Sequence, residues 1–179
     1  MSKQKIYFIT GNDHKFTEVS DLFKKNLPNY ELLQLKEDLL EIQAWTLEEV
    51  AEFKVKNVRV VPDAPYFIED AGFFVEDLKE FPGVYSAYVF KSIGYNGILK
   101  VMKGNPNRKS CFKSVIAFVD INKEIKIFVG QVDGTVSEEA RGSEGFGFDP
   151  IFVPNEIPGK TFSEIPLEQK NKISHRSRS

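Results

Sequence analysis

The first two dozen residues constrain the fold most. Ile6-Tyr7-Phe8-Ile9 is a short apolar run that stops at Thr10 and reads as a buried strand. Gly11-Asn12-Asp13 is turn chemistry. Phe16, Val19, Leu22 and Phe23 then recur at helical spacing as far as Lys25. A strand, a tight glycine loop and a helix, in that order, open an α/β unit.

The rest of the chain continues the pattern. Residues 30–35 predict a second strand. Thr46 and Glu49 have capping-box spacing and open a helix to about Val60, where Pro62-Asp63-Ala64-Pro65 breaks it. Phe67 and Ile68 predict a strand ending at Glu69-Asp70, with residues 73–78 as a separate extended segment beyond Ala71-Gly72. Residues 80–86 read as a loop, and 93–102 as a short helix interrupted by glycines. Two long strand-like runs, 111–119 and 124–132, predict a hairpin. A glycine-rich loop follows over 141–150, and Pro166 starts a last helix ending near Ile173. The expected class is α/β with a mixed sheet. A length of 179 residues fits one domain over 1–179, or one domain with two lobes around a cleft.

Composition excludes several function classes. No apolar run approaches a membrane span, and the run that follows Met1-Ser2-Lys3-Gln4-Lys5 and ends at Thr10 is too short and lacks a cleavage site, so no signal peptide is expected. One cysteine, Cys111, forms no intramolecular disulfide and fits a reducing cytoplasm; it reads as a buried strand thiol rather than a nucleophile. A net charge of −2 lacks the broad basic surface that nucleic-acid binding needs. Any anionic ligand must be met by a few local lysines and arginines.

Four polar clusters could carry chemistry. The Gly11 loop offers backbone N–H groups at a helix N-terminus, with Lys15 one turn in; this suits a phosphate, or is a plain turn beside a surface lysine. No Walker motif occurs. Glu69-Asp70, at an expected strand end, with Glu41 from a loop, suits Mg²⁺, or is a set of solvated acids. The Gly145-Phe146-Gly147-Phe148-Asp149-Pro150 segment places aromatics where they can stack on a base, or anchors the loop in the core. Ser174-His175-Arg176 supplies hydrogen-bond donors, or is a solvated basic end.

Taken together, the clusters resemble the inosine triphosphate pyrophosphatase family, the non-standard purine NTP pyrophosphatases. The matching stretches are I-T-G-N-D-H-K-F-T-E-V from Ile9, E-I-Q from Glu41, I-E-D-A-G-F-F-V-E-D-L from Ile68 and F-P-G-V-Y-S-A-Y from Phe81. G-F-G-F-D-P-I-F from Gly145, K-T-F-S-E-I from Lys160 and E-Q-K-N-K-I-S-H-R from Glu168 complete the set. They occur in the family's order and span nearly the whole chain.

The resemblance implies an elongated two-lobed α/β fold with a central mixed sheet and a cleft between lobes, usually as a homodimer. It implies hydrolysis of ITP, dITP and XTP to the nucleoside monophosphate and pyrophosphate, with Mg²⁺ or, as a substitute, Mn²⁺. Thr10, Asn12 and Lys15 match its phosphate-binding loop, and Lys54 matches a lysine that reaches the phosphates. Glu41 and Asp70 match the metal-holding acids, and Asp70 also matches the group that orients the attacking water. Phe146 matches the base-stacking aromatic, Phe148 and Asp149 its pocket, and Lys170, His175 and Arg176 the C-terminal contacts to phosphate and base. Two departures stand out: Ala71 replaces a usual serine, and Phe148 a usual tyrosine or tryptophan. The rival readings are a house-cleaning pyrophosphatase for other modified nucleotides, a nucleotide-binding protein whose catalysis has decayed, and a nucleic-acid binder using Arg176-Ser177-Arg178.

Overall fold

The structure, a computed structural model, describes residues 3–179; Met1 and Ser2, which begin the stretch where no signal peptide is expected, lie outside it. The strands are β1 (Gln4–Ile9), β2 (Tyr30–Leu35), β3 (Tyr66–Val75), β4 (Pro82–Gly83), β5 (Lys109–Val119), β6 (Ile125–Val136) and β7 (Phe152–Pro154). The helices are α1 (Asp13–Asn26), α2 (Leu47–Lys56), α3 (Ser86–Val101), α4 (Leu167–Lys170) and α5 (His175–Arg178). The strands form one mixed sheet in the order β2-β1-β3-β5-β6-β7, with β4 pairing off β3. β1 runs parallel to β2, in register from Gln4–Tyr30 to Ile9–Leu35, and parallel to β3. β4 is antiparallel to β3, and β7 to β6. The α/β class with a mixed sheet is therefore as expected.

The chain packs as two compact units. The first comprises the described residues up to Asp70, with Ser114–Val129 and Ser179; the second comprises Ala71–Lys113 and Gly130–Arg178. In the first, Ile6, Phe8, Val19 and Phe67 form a core against Phe16, Phe23, Ile116 and Phe118. Phe67 stacks between Phe8 at 4.6 Å and Phe23 at 6.1 Å. In the second, Phe73, Phe112, Phe148, Phe152 and Phe162 make an aromatic core with Val75, Ile98 and Met102. Much of the phenylalanine content thus goes into these two clusters, where tilted and stacked rings add to area burial.

Local chemistry sets the helix starts. Asn12 caps α1, its Oδ1 accepting from the Lys15 N–H at 3.1 Å. The Thr46/Glu49 capping box opens α2 as expected. That helix stops at Lys56, short of Val60, as the Asn57 N–H turns back to the Lys54 carbonyl.

Three further expectations need correction. The extended segments around Ala71-Gly72 are one strand, β3, with a 3₁₀ turn over Glu76–Leu78. Gly72 is in the strand because a Cβ there would meet the Gly83 carbonyl of β4 at 2.5 Å. The glycine permits a close strand approach rather than a turn. The helix expected at 93–102 starts at Ser86 and is kinked at Gly94, whose φ is 62°. The last expected helix is only the short α4, followed by turns and then α5.

Candidate active site

In the first unit, two helices each bring a lysine to a neighbouring acid of β3. Successive strand residues face opposite ways. Glu69, like Phe67, takes the α1 face, and Asp70 takes the α2 face. Both acids lie inside a continuous strand rather than at its end.

On the α2 face, Lys54 Nζ lies 2.5 Å from Asp70 Oδ1 and 2.7 Å from Glu41 Oε1. Lys54 and Asp70 are buried, while the Glu41 side chain is 66% exposed. Burial pushes the Lys54 pKa down, but the charges and hydrogen bonds of Asp70 and Glu41 outweigh it and hold the ammonium above the ordinary lysine range. One cationic point is thus shared by the two acids the sequence singles out as metal ligands. Asp70 Oδ2 is buried and has no hydrogen-bond partner, a deficit that a cation offsets. Among the described residues no group of three or more His, Cys, Asp or Glu could hold a metal. Two carboxylates suit Mg²⁺ nonetheless, since that ion takes one or two carboxylates and fills its other positions with phosphate oxygens and water. The donor set fits the group.

On the α1 face, Lys15 Nζ lies 2.7 Å from Glu69 Oε2 and donates to the Glu69 carbonyl at 3.1 Å. Thr10 and Asn12 shape the turn before it. Thr10 Oγ1 accepts from the Asn12 N–H at 3.1 Å, and the Thr10 backbone is tied to β2 and Gln34. A Cβ on Gly11 would meet nothing within 4 Å, so the space beside this turn is open.

The second unit gathers the remaining residues. Asp149 Oδ2 accepts from the Phe146 N–H at 2.9 Å and from Lys170 Nζ at 2.6 Å. Asp149 and Lys170 are both buried. Gly145, at φ 72°, carries no side chain because a Cβ there would collide with this carboxylate. The half-buried Phe146 ring has Lys170 Nζ 5.3 Å and Arg176 Cζ 5.5 Å from its centroid. His175 stacks on Phe112 at 4.9 Å and 13°.

Two expectations change here. Phe148 is 4% exposed, stacked 5.2 Å from Phe73 with Phe90 edge-on at 5.5 Å. It anchors the loop in the core and presents no face to a base. Ser174, His175 and Arg176 are at most 4% exposed, so they are part of the packed unit rather than a solvated end. Arg178 is engaged as well, with the Gln131 carbonyl at 2.8 Å and with Glu156.

The sequence did not single out Glu69 as the partner of Lys15, nor Ser114, whose Oγ donates to Glu69 Oε1 at 2.9 Å. No local signal could have found Ser114. No helix among the described residues is long and apolar enough to cross a membrane.

The chain is similar to known proteins over nearly its whole length. The model of the Ham1 family matches residues 6–179. A dITP/XTP pyrophosphatase of Thermococcus kodakarensis is 52% identical over 174 residues, covering 97% of this chain and 92% of its own. One from Pyrococcus horikoshii is 47% identical, with 97% and 91% covered. The solved Ham1 protein of Staphylococcus aureus superposes with a TM-score of 0.80 at 27% identity, over 98% of this chain and 93% of its own. A nucleoside-triphosphatase / dITP/XTP pyrophosphatase of Mycobacterium abscessus gives 0.73 at 27%, over 98% and 95%.

Proposed function

The chain belongs to the Ham1 family, and from that premise we propose that it is a dITP/XTP pyrophosphatase. It cleaves dITP, ITP and XTP between the α- and β-phosphates, giving the monophosphate and pyrophosphate, and so clears deaminated purines from the nucleotide pool. The observation that carries this reading is the convergence of Glu41 and Asp70 on one cationic point at Lys54.

Phosphoryl transfer to water asks a protein mainly for positioning and charge neutralisation. Glu41 and Asp70 would hold Mg²⁺, with Mn²⁺ as a substitute. When bound, that ion neutralises charge on the phosphate oxygens. Asp70 orients the attacking water and accepts its proton through a carboxylate oxygen. Lys54 and Lys15 offset charge building on the pyrophosphate leaving group, and Thr10 and Asn12 shape the turn that receives phosphate. No protein nucleophile is needed.

Phe146 stacks on the purine, and Lys170, His175 and Arg176 supply positive charge and donors around it. Asp149 serves that cluster by fixing Phe146 and Lys170. Donors aimed at a 6-keto oxygen are left unpaired by the 6-amino group of adenine, which costs about 1–3 kcal/mol for each buried group. The chain acts as a homodimer, a reading supported by the exposed Phe81, Tyr85 and Tyr88. Product analysis with dITP tests the bond cleaved: pyrophosphate with dIMP supports the reading, and orthophosphate with dIDP contradicts it.

A further inference from the structure

We propose that Glu69 is a positioning residue that aims the Lys15 ammonium at phosphate, with Ser114 fixing Glu69 in turn; this rests on the phosphate-binding role given to Lys15 above. Glu69 lies two residues beyond the core Phe67 on β3, and its side chain is 0% exposed. It holds one ammonium at two points: Oε2 is 2.7 Å from Lys15 Nζ, and its own carbonyl accepts from the same nitrogen at 3.1 Å. A lysine ammonium has three N–H donors. One is committed to the Glu69 carbonyl, and the ion pair with Oε2 holds the ammonium beside that residue. Lys15 is 16% exposed along its side chain, which leaves a further N–H able to reach an oxyanion.

The carboxylate is itself held. Ser114, fully buried on β5, donates to Glu69 Oε1 at 2.9 Å, and its Oγ lies 3.1 Å from Ser179 Oγ. A flexible four-carbon lysine would otherwise sample many rotamers before meeting phosphate. A buried, hydrogen-bonded carboxylate removes that freedom before substrate arrives, which is how preorganisation raises both affinity and rate. Glu69 faces away from Asp70 on the strand, so this arrangement is separate from the Glu41–Asp70–Lys54 group.

A double-mutant cycle tests the proposal. kcat/KM for dITP, the inhibition constant of inorganic pyrophosphate, and thermal unfolding are measured for wild type, Glu69→Gln, Lys15→Met and the double variant. Each single change should lower kcat/KM roughly 10- to 100-fold, the range for losing a charged hydrogen bond. Pyrophosphate, which carries no base, should weaken by a similar factor in both. The double variant should be no worse than Lys15→Met, because Glu69 acts only through that lysine. Losses that multiply in the double variant would overturn the proposal, as would an unchanged pyrophosphate constant in Glu69→Gln. Should Glu69→Gln not fold, the same cycle with Ser114→Ala decides: a smaller loss, present with Lys15 and absent without it, supports the role, and a loss independent of Lys15 refutes it. A Lys15→Met enzyme with full activity removes the role of Lys15 itself, and a wild type inactive on dITP removes the proposed function instead.

Discussion

Lys54 Nζ lies 2.5 Å from Asp70 Oδ1, and this buried pair is the electrostatic centre of the first unit's cluster. The second oxygen of Asp70 has no hydrogen-bond partner. The aspartate is thus anchored by one oxygen and available through the other.

Asp70→Asn keeps the shape of the side chain and removes the charge. Turnover of dITP should fall on the order of 100- to 10,000-fold, the range for losing a positioned proton acceptor. Far-UV circular dichroism should be unchanged. An active, folded variant would separate Asp70 from the chemistry.

Metal removal should act on the same acids. Excess chelator should abolish pyrophosphate release, and added Mg²⁺ or Mn²⁺ should restore it. Glu41→Gln should raise the Mg²⁺ concentration needed for half activity without unfolding the protein, since that side chain is largely exposed. Wild-type activity in chelator contradicts the assignment.

Cys111 gives a pH prediction. Its pKa is raised from 9.0 to about 11, first by burial and then by the charges of Glu80 and Asp133. Both causes disfavour the thiolate, so the folded protein holds the thiol protonated through pH 8, and reactivity rises only toward pH 11. Two pH units correspond to about 100-fold less thiolate. Alkylation at pH 8 should be slower by that order in the folded chain than in denaturant. Equal rates would count against the burial, which is intermediate here rather than the full burial expected of a strand thiol.

The aromatic loop should read purines without ranking them. Phe146→Ala should weaken dITP and dATP alike, because every base has a π-face. Arg176→Ala should narrow the dITP-to-dATP ratio of kcat/KM, whereas Lys15→Ala should lower both together. An Arg176→Ala enzyme with an unchanged ratio contradicts the role given to that guanidinium.

Association is read by light scattering. A dimer at micromolar concentration has twice the chain mass of 20.4 kDa. A monomer there contradicts the reading of Phe81, Tyr85 and Tyr88 as a contact surface.

What could be read in the sequence was whatever local chemistry decides. β2 and the Thr46 capping box fall where residue pattern places them, because each depends on neighbours within a few positions. β3 could not be read as continuous, since Ala71-Gly72 looks like a turn until β4 is seen to crowd Gly72. Phe146 and Phe148 share the same glycine-flanked pattern, and only packing against Phe73 distinguishes the buried ring. The Lys15–Glu69 pair joins residues 54 positions apart, and no periodicity carries that information. His175 and Arg176 looked like a basic tail by composition, whereas stacking on Phe112 and Phe146 draws them into the second unit.

The most direct test of the central claim is pyrophosphate release across a panel of nucleoside triphosphates with Mg²⁺. The account predicts kcat/KM for dITP and XTP above that for dATP by a factor of about 100 or more, toward the ~10⁴ that a site built on hydrogen bonds to the base can reach. Equal kcat/KM for dITP and dATP would contradict it.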